Sequence, residues 1–183
     1  MPPDELVIKQ TKRWILDVVI ACNFCPFAAR EVGNETVKYQ VLINGNIKQV
    51  LETLCLLFDE LARDDTIATA LLILPSGYNS FSNYLQLFEI AESLLEKEGH
   101  EGVFQLASFH PAYMFAGSTN EDPSNYTNRS PYPMLHILRE KSVSEAVDSY
   151  KSVEQISEKN IAFTGHKGLA YMQALRMSCL QNT

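Results

Sequence analysis

An α/β fold is what this sequence predicts: a layered sandwich in which a small, mostly parallel sheet is flanked by helices, with a long ordered loop over the strand ends. Three observations carry that expectation. Short strand-like apolar runs alternate with long helical stripes, the pattern of parallel strands joined by right-handed crossovers. One run, Thr66 to Leu74, is mostly apolar and free of glycine, which suits a strand buried on both faces. The chain has 183 residues, 46% of them hydrophobic, enough to bury one sizeable core, so residues 1–183 are expected to form a single domain.

Ile15, Val18, Val19 and Cys22 recur at helical spacing and place an amphipathic helix over Glu5 to Ala21. Pro26 suits the first position of a helix, where its missing N–H is not needed, so a two-turn helix is expected over residues 26–32 with Gly33 as its stop. Cys25 then falls at the N-cap. Val37, Tyr39, Val41 and Ile43 alternate with mostly polar neighbours, as a half-buried strand does. Asn44-Gly45 marks a turn and Asn46 can cap the helix that follows, whose stripe is Ile47, Val50, Leu51, Leu54, Phe58 and Leu61. Pro75-Ser76-Gly77 ends the Thr66–Leu74 strand, and Phe81, Tyr84, Leu85, Phe88 and Leu95 line a second long helix that stops near Gly99. Val103 to Phe109 is a third strand and Met134 to Leu138 a fourth. Ser142-Val143-Ser144-Glu145 and Ser152-Val153-Glu154-Gln155 are capping boxes that open short helices, and a last helix runs from Gly168 towards Leu180.

Between the third and fourth strands, His110 to Pro133 offers no helix or strand pattern and is rich in Ser, Asn, Pro and aromatics. Loops of this length inside compact domains are usually functional or disordered. Tyr113, Phe115, Tyr126 and Tyr132 give this one anchors, so an ordered loop packed over a pocket is expected.

A net charge of −7, from 15 basic and 22 acidic residues, argues against nucleic-acid binding and against docking on an anionic membrane. The chain starts without a basic and then apolar leader, and its longest apolar run is too short to span a bilayer. Four cysteines without a regular framework then point to reduced thiols in the cytoplasm. The phosphate-binding, zinc-protease, nucleophile-elbow and dinucleotide glycine motifs are all absent.

The residues with chemistry to offer are few. A thiol at a helix N-cap faces free N–H groups that favour the thiolate, whereas Cys22, on an apolar stripe, behaves as a small hydrophobe. His110 closes a strand, and in open α/β sheets ligands bind outside the strands' C-terminal ends. His136 shares a strand face with Met134 and Leu138, where a buried structural role is its plain reading. Asn125, Tyr126, Asn128, Arg129 and Ser130 are dense in donors, and Arg129 with Arg139 can hold a carboxylate or phosphate bidentately. A parallel sheet would gather Cys25, His110, Asn128, Arg129 and His136 around one pocket at its edge.

Asn23-Phe24-Cys25-Pro26-Phe27-Ala28, Phe104 to Pro111, and the stretch Asn125 to His136 followed by Leu138-Arg139-Glu140 closely resemble the bacterial family called domain of unknown function 1415. The resemblance covers nearly the whole chain. It implies a shared fold and a set of matching residues that includes Cys25, and no particular reaction. Three functional readings stay open. In the first, the chain is an enzyme acting on a small anionic molecule, with Cys25 as nucleophile or redox thiol, His110 or His136 as its acid or base, and the loop residues with Arg139 as the substrate clamp. In the second, Cys25, His110 and His136 ligate zinc or iron, with Asp122 as a fourth candidate. In the third, the pocket binds a metabolite or a partner and performs no chemistry.

Overall fold

The computed structural model describes residues 2–149 and 154–181. The chain opens with α1 (Asp4–Trp14), whose last turn runs into a π-helical segment, Ile15–Ile20. A short helix α2 (Ala28–Gly33) leads to strand β1 (Val37–Val41). Helix α3 (Ile47–Arg63) starts at a complete capping box: Asn46 accepts from the Gln49 N–H, and Gln49 accepts in return from the Asn46 N–H. Strand β2 (Thr69–Ile73), helix α4 (Phe81–Lys97) and strand β3 (Phe104–Phe109) follow. A 3₁₀ turn (Pro123–Thr127) interrupts the long loop before β4 (Met134–Arg139), and α5 (Glu140–Ser149), α6 (Glu154–Lys167) and α7 (Leu169–Ser178) complete the chain. Among the described residues no helix is long and apolar enough to cross a membrane.

The sheet order is β1-β2-β4-β3. β1 and β2 are parallel, but β4 is antiparallel to both β2 and β3, so the sheet is mixed and mostly antiparallel rather than mostly parallel. The reason lies in the connection. Parallel pairing needs a crossover that carries the chain back to the starting edge, usually through a helix. The loop from His110 to Pro133 makes no such return: the His110 N–H donates to Asn128 O (3.2 Å) at the edge where β3 ended. The chain therefore enters β4 from the far end of β3 and runs back between β2 and β3.

Alternate side chains send the two sheet faces into separate cores. Ala70, Leu72, Leu135, Ile137 and Phe104 pack against α3 and α4. Leu71, Ile73, Val41 and Met134 pack against Trp14, Val18, Met172 and Cys179 of the opposite layer. Three helix boundaries differ from expectation. The first helix turns π-helical after Trp14. Pro26 sits in a turn ahead of α2 rather than inside it, because the chain is still reversing there through Asn23 at φ 56°. Ser142 lies within α5, which starts directly off β4 at Glu140, so its capping box is not used. The second capping box begins at Ser152-Val153, outside the described residues.

Candidate functional site

The face of the sheet opposite α3 and α4 carries a cavity of about 280 Å³. Its floor is strand: Val37 of β1, Thr69 and Leu71 of β2, Gln105, Ala107 and Phe109 of β3, and His136 and Leu138 of β4. These fall on one face because the antiparallel register sets Leu71 and Ala107 opposite His136, and Thr69 and Gln105 opposite Leu138. The walls come from Trp14, from Ile15 and Val19 of the π segment, from Cys25 and α2, and from Ser142 and Val143 of α5. π-helical turns are frequent at functional sites. Here the π-helical segment presents Ile15 and Val19 to the cavity. Ala107 is what leaves the space: a small side chain stands between Gln105 and Phe109, where a larger one would fill the gap.

The position corrects one expectation. Val37 and Thr69 are the first residues of their strands and Leu138 is next to last in β4. The cavity thus sits towards the N-terminal ends of β1–β3, away from the edge where a parallel sheet would gather ligands.

Of the residues expected at one site, Cys25, His136 and Arg139 line this cavity. Cys25 does not cap a helix: α2 begins at Ala28, and the Cys25 carbonyl accepts from the Ala28 N–H (3.3 Å). Its place is set by its neighbour instead. Phe24 is buried edge-on against Phe163 of α6 (5.7 Å between centroids), and Asn160 Nδ2 donates to Phe24 O (3.1 Å). All four cysteines are free, and burial pushes the Cys22, Cys55 and Cys179 thiols up.

His136 is held by a specific pair of bonds. The Thr69 hydroxyl lies 2.6 Å from both His136 Nε2 and the Ile137 carbonyl. A carbonyl can only accept, so the single hydroxyl hydrogen goes to it and the Thr69 oxygen accepts from Nε2–H. Nδ1 has no hydrogen-bond partner among the described residues. The ring keeps some accessible surface only because it borders the cavity. It is otherwise enclosed by protein, and burial pushes its pKa down from 6.5 to about 4. The Trp14 indole N–H, edge-on to Phe109, is also buried without a partner among the described residues.

At the rim, Glu31 is raised by burial, but hydrogen bonds from Thr36 and Arg30 outweigh this and hold its carboxyl below the ordinary range. Glu31 and Arg30 are thereby matched to each other. Arg139 borders the cavity but spends its guanidinium beneath the sheet's other face, donating to Leu61 O (2.5 Å), Asp64 O (2.9 Å) and Ile67 O (3.0 Å) at the end of α3.

The remaining expected residues lie elsewhere. His110 is fully buried against Tyr84 and Phe81, with Nε2 2.9 Å from Tyr78 O and Nδ1 accepting from the Ala112 N–H. Arg129 donates from Nε to Tyr113 O and from Nη2 to Asn120, and stacks over the Tyr126 ring at 4.8 Å. Asn125 Oδ1 accepts from Phe115 N and Ser118 Oγ, while its amide donates to Thr119 O. Asn128 donates to Ser108 O and Ser130 to Tyr132 O. The dense polar stretch therefore stitches its own loop together. Tyr126 sits in the second core, and Tyr132 bonds Gln10 of α1. Among the described residues, no group of three or more His, Cys, Asp or Glu side chains could hold a metal ion, so Cys25, His110 and His136 do not form a ligand set. A second depression of about 430 Å³, beside Gly102, Val103 and the start of α5, is lined by Asp65 and Arg139 (3.6 Å) and by Lys141 and Glu145 (3.8 Å), charges already paired with each other.

Thr69, Gln105 and Ala107 were not anticipated. Their signal was present, since each breaks an apolar strand with a polar or small residue, but it points to one site only when the strand register is known. Among curated proteins and among solved structures, nothing matches this chain. The model of the family described as "Protein of unknown function (DUF1415)" matches residues 6–174, a span that holds every residue lining the cavity. The chain belongs to that family.

Proposed function

We propose that this chain binds a small, uncharged, largely apolar molecule in the cavity on the β1–β3 face, with His136 and Cys25 as its polar contacts. The observation that carries the reading is a neutral imidazole set in the floor of an otherwise mostly apolar cavity. Ligand sites have this composition: hydrophobic walls with a few placed polar groups. At about 280 Å³ the space equals roughly nine waters at about 30 Å³ each, room for a two-ring molecule. An anion would find no free guanidinium here, because Arg139 is committed to three carbonyls and Arg30 to Glu31.

A thiol enzyme is the second reading, favoured by Cys25 and His136 bordering one cavity. A general base works best with a pKa near the operating pH. An imidazole pushed to about 4 holds a proton taken from a thiol poorly, which ranks this reading below simple binding. Protection of Cys25 tests the proposal. With 2-naphthol as probe, iodoacetamide labelling of Cys25 should slow while labelling of Cys55, on α3 across the sheet, stays the same. Equal rates at Cys25 with and without the probe would overturn the reading.

A further inference from the structure

We propose that Thr69 is the selectivity-setting residue of this cavity: by taking the Nε2–H of His136 it fixes Nδ1 as a hydrogen-bond acceptor offered to the ligand, so the cavity takes uncharged molecules bearing an O–H or N–H and rejects carboxylates. This rests on the binding reading above. The geometry stands on three points. Thr69 and His136 both line the cavity and are in hydrogen-bond contact at 2.6 Å. The Thr69 hydrogen is claimed by Ile137 O, also at 2.6 Å, so the hydroxyl cannot donate to the ring. Nδ1 then carries a lone pair with no partner among the described residues, on a ring that borders empty space. This is the arrangement by which partners of a histidine's far nitrogen fix the tautomer at the near one.

The consequence is chemical selection. A ligand O–H or N–H meets an acceptor, an ether of the same shape leaves that acceptor unmet, and a carboxylate sets its lone pairs against it. Leaving a buried polar group unsatisfied discriminates more strongly than adding or removing apolar bulk. The neutral state of the ring strengthens the effect, because burial disfavours the imidazolium that an anion would need.

Two measurements test this independently. Long-range ¹H–¹⁵N NMR of His136 in the ligand-free protein at neutral pH should show a protonated Nε2 and a bare Nδ1. A proton on Nδ1, or on both nitrogens, overturns the proposal whatever binds. Titration with 2-naphthol, 2-methoxynaphthalene and 2-naphthoate should rank them in that order, with the phenol ahead of the ether by about tenfold, the worth of one hydrogen bond. In Thr69→Val the ratio should fall towards one and the tautomer signature blur, and Thr69→Ser should restore both. Equal affinity of phenol and ether in the wild-type chain overturns the selectivity even with the tautomer as stated. Failure of all three probes to bind instead overturns the binding reading beneath it, a result the NMR tautomer cannot mimic.

Discussion

Replacing Ala107 by Leu tests the cavity without any ligand. Ala107 stands opposite His136 on the cavity floor, so three added carbons would project into the space. At about 0.8 kcal/mol per buried CH₂, full burial would contribute about 2.4 kcal/mol. Fixing the Leu rotamer costs about 0.5–1 kcal/mol. The cavity also communicates with solvent, which leaves an expected gain of about 1 kcal/mol. Urea unfolding monitored by the fluorescence of Trp14, which lines the same cavity, reads this directly as a higher midpoint at constant slope. Ala70→Leu is the control. Ala70 is fully buried against α3 and α4, where the core is closed, and extra bulk there should cost about 1–3 kcal/mol. If Ala107→Leu destabilises as much as Ala70→Leu, the space is filled in solution and the site argument fails.

Three further outcomes follow from the same contacts. Tyr84→Phe removes the buried hydroxyl that donates to Met134 O (2.6 Å) and accepts from the Phe109 N–H (3.1 Å), and should cost about 1–3 kcal/mol in urea unfolding. Arg139→Met strips three carbonyl contacts from the end of α3 and should cost about 2–4 kcal/mol, of which Arg139→Lys recovers less than half because an ammonium lacks the planar fork. His136 has a folded pKa of about 4 against 6.5 unfolded, so the unfolded chain binds the extra proton between those values. Its contribution is intact above pH 6.5 and is lost as pH falls towards 4, up to about 3 kcal/mol. His110 is shifted the same way, so His136→Gln should flatten only part of the acid loss in stability measured from pH 7 to pH 4.5.

Much of the fold was legible because burial follows periodicity. Val50, Leu54, Phe58 and Leu61 repeat at helical spacing and all are buried in α3, and the glycine-free apolar run became β2, one of the two inner strands, buried throughout. Strand direction was not legible, since a period of two reads the same in either sense. The one clue was the missing helix between His110 and Pro133, and it was read as a cover over a site rather than as a chain reversal. The loop's polar residues misled for a related reason. A 24-residue connection without a ladder must satisfy its own backbone, and Asn125 and Arg129 do that work with their side chains. Cys25 was singled out for a cause that did not hold, a helix N-cap, and it lines the cavity because Phe24 is anchored to α6. His136 was marked as buried and became the most informative residue, through a partner on another strand that sequence spacing could not reveal.

Methyl NMR during titration with 2-naphthol shows whether the cavity over the N-terminal halves of β1–β3 takes a ligand. Shifts should concentrate at Leu71, Ala107, Leu138 and Val32, saturate together, and vanish at Leu71, Leu138 and Val32 in Ala107→Leu. Shifts gathered instead at the exposed apolar side chains of Leu56, Ile161 or Met177, with the methyl groups of those four residues unmoved, would show that the cavity is not the site.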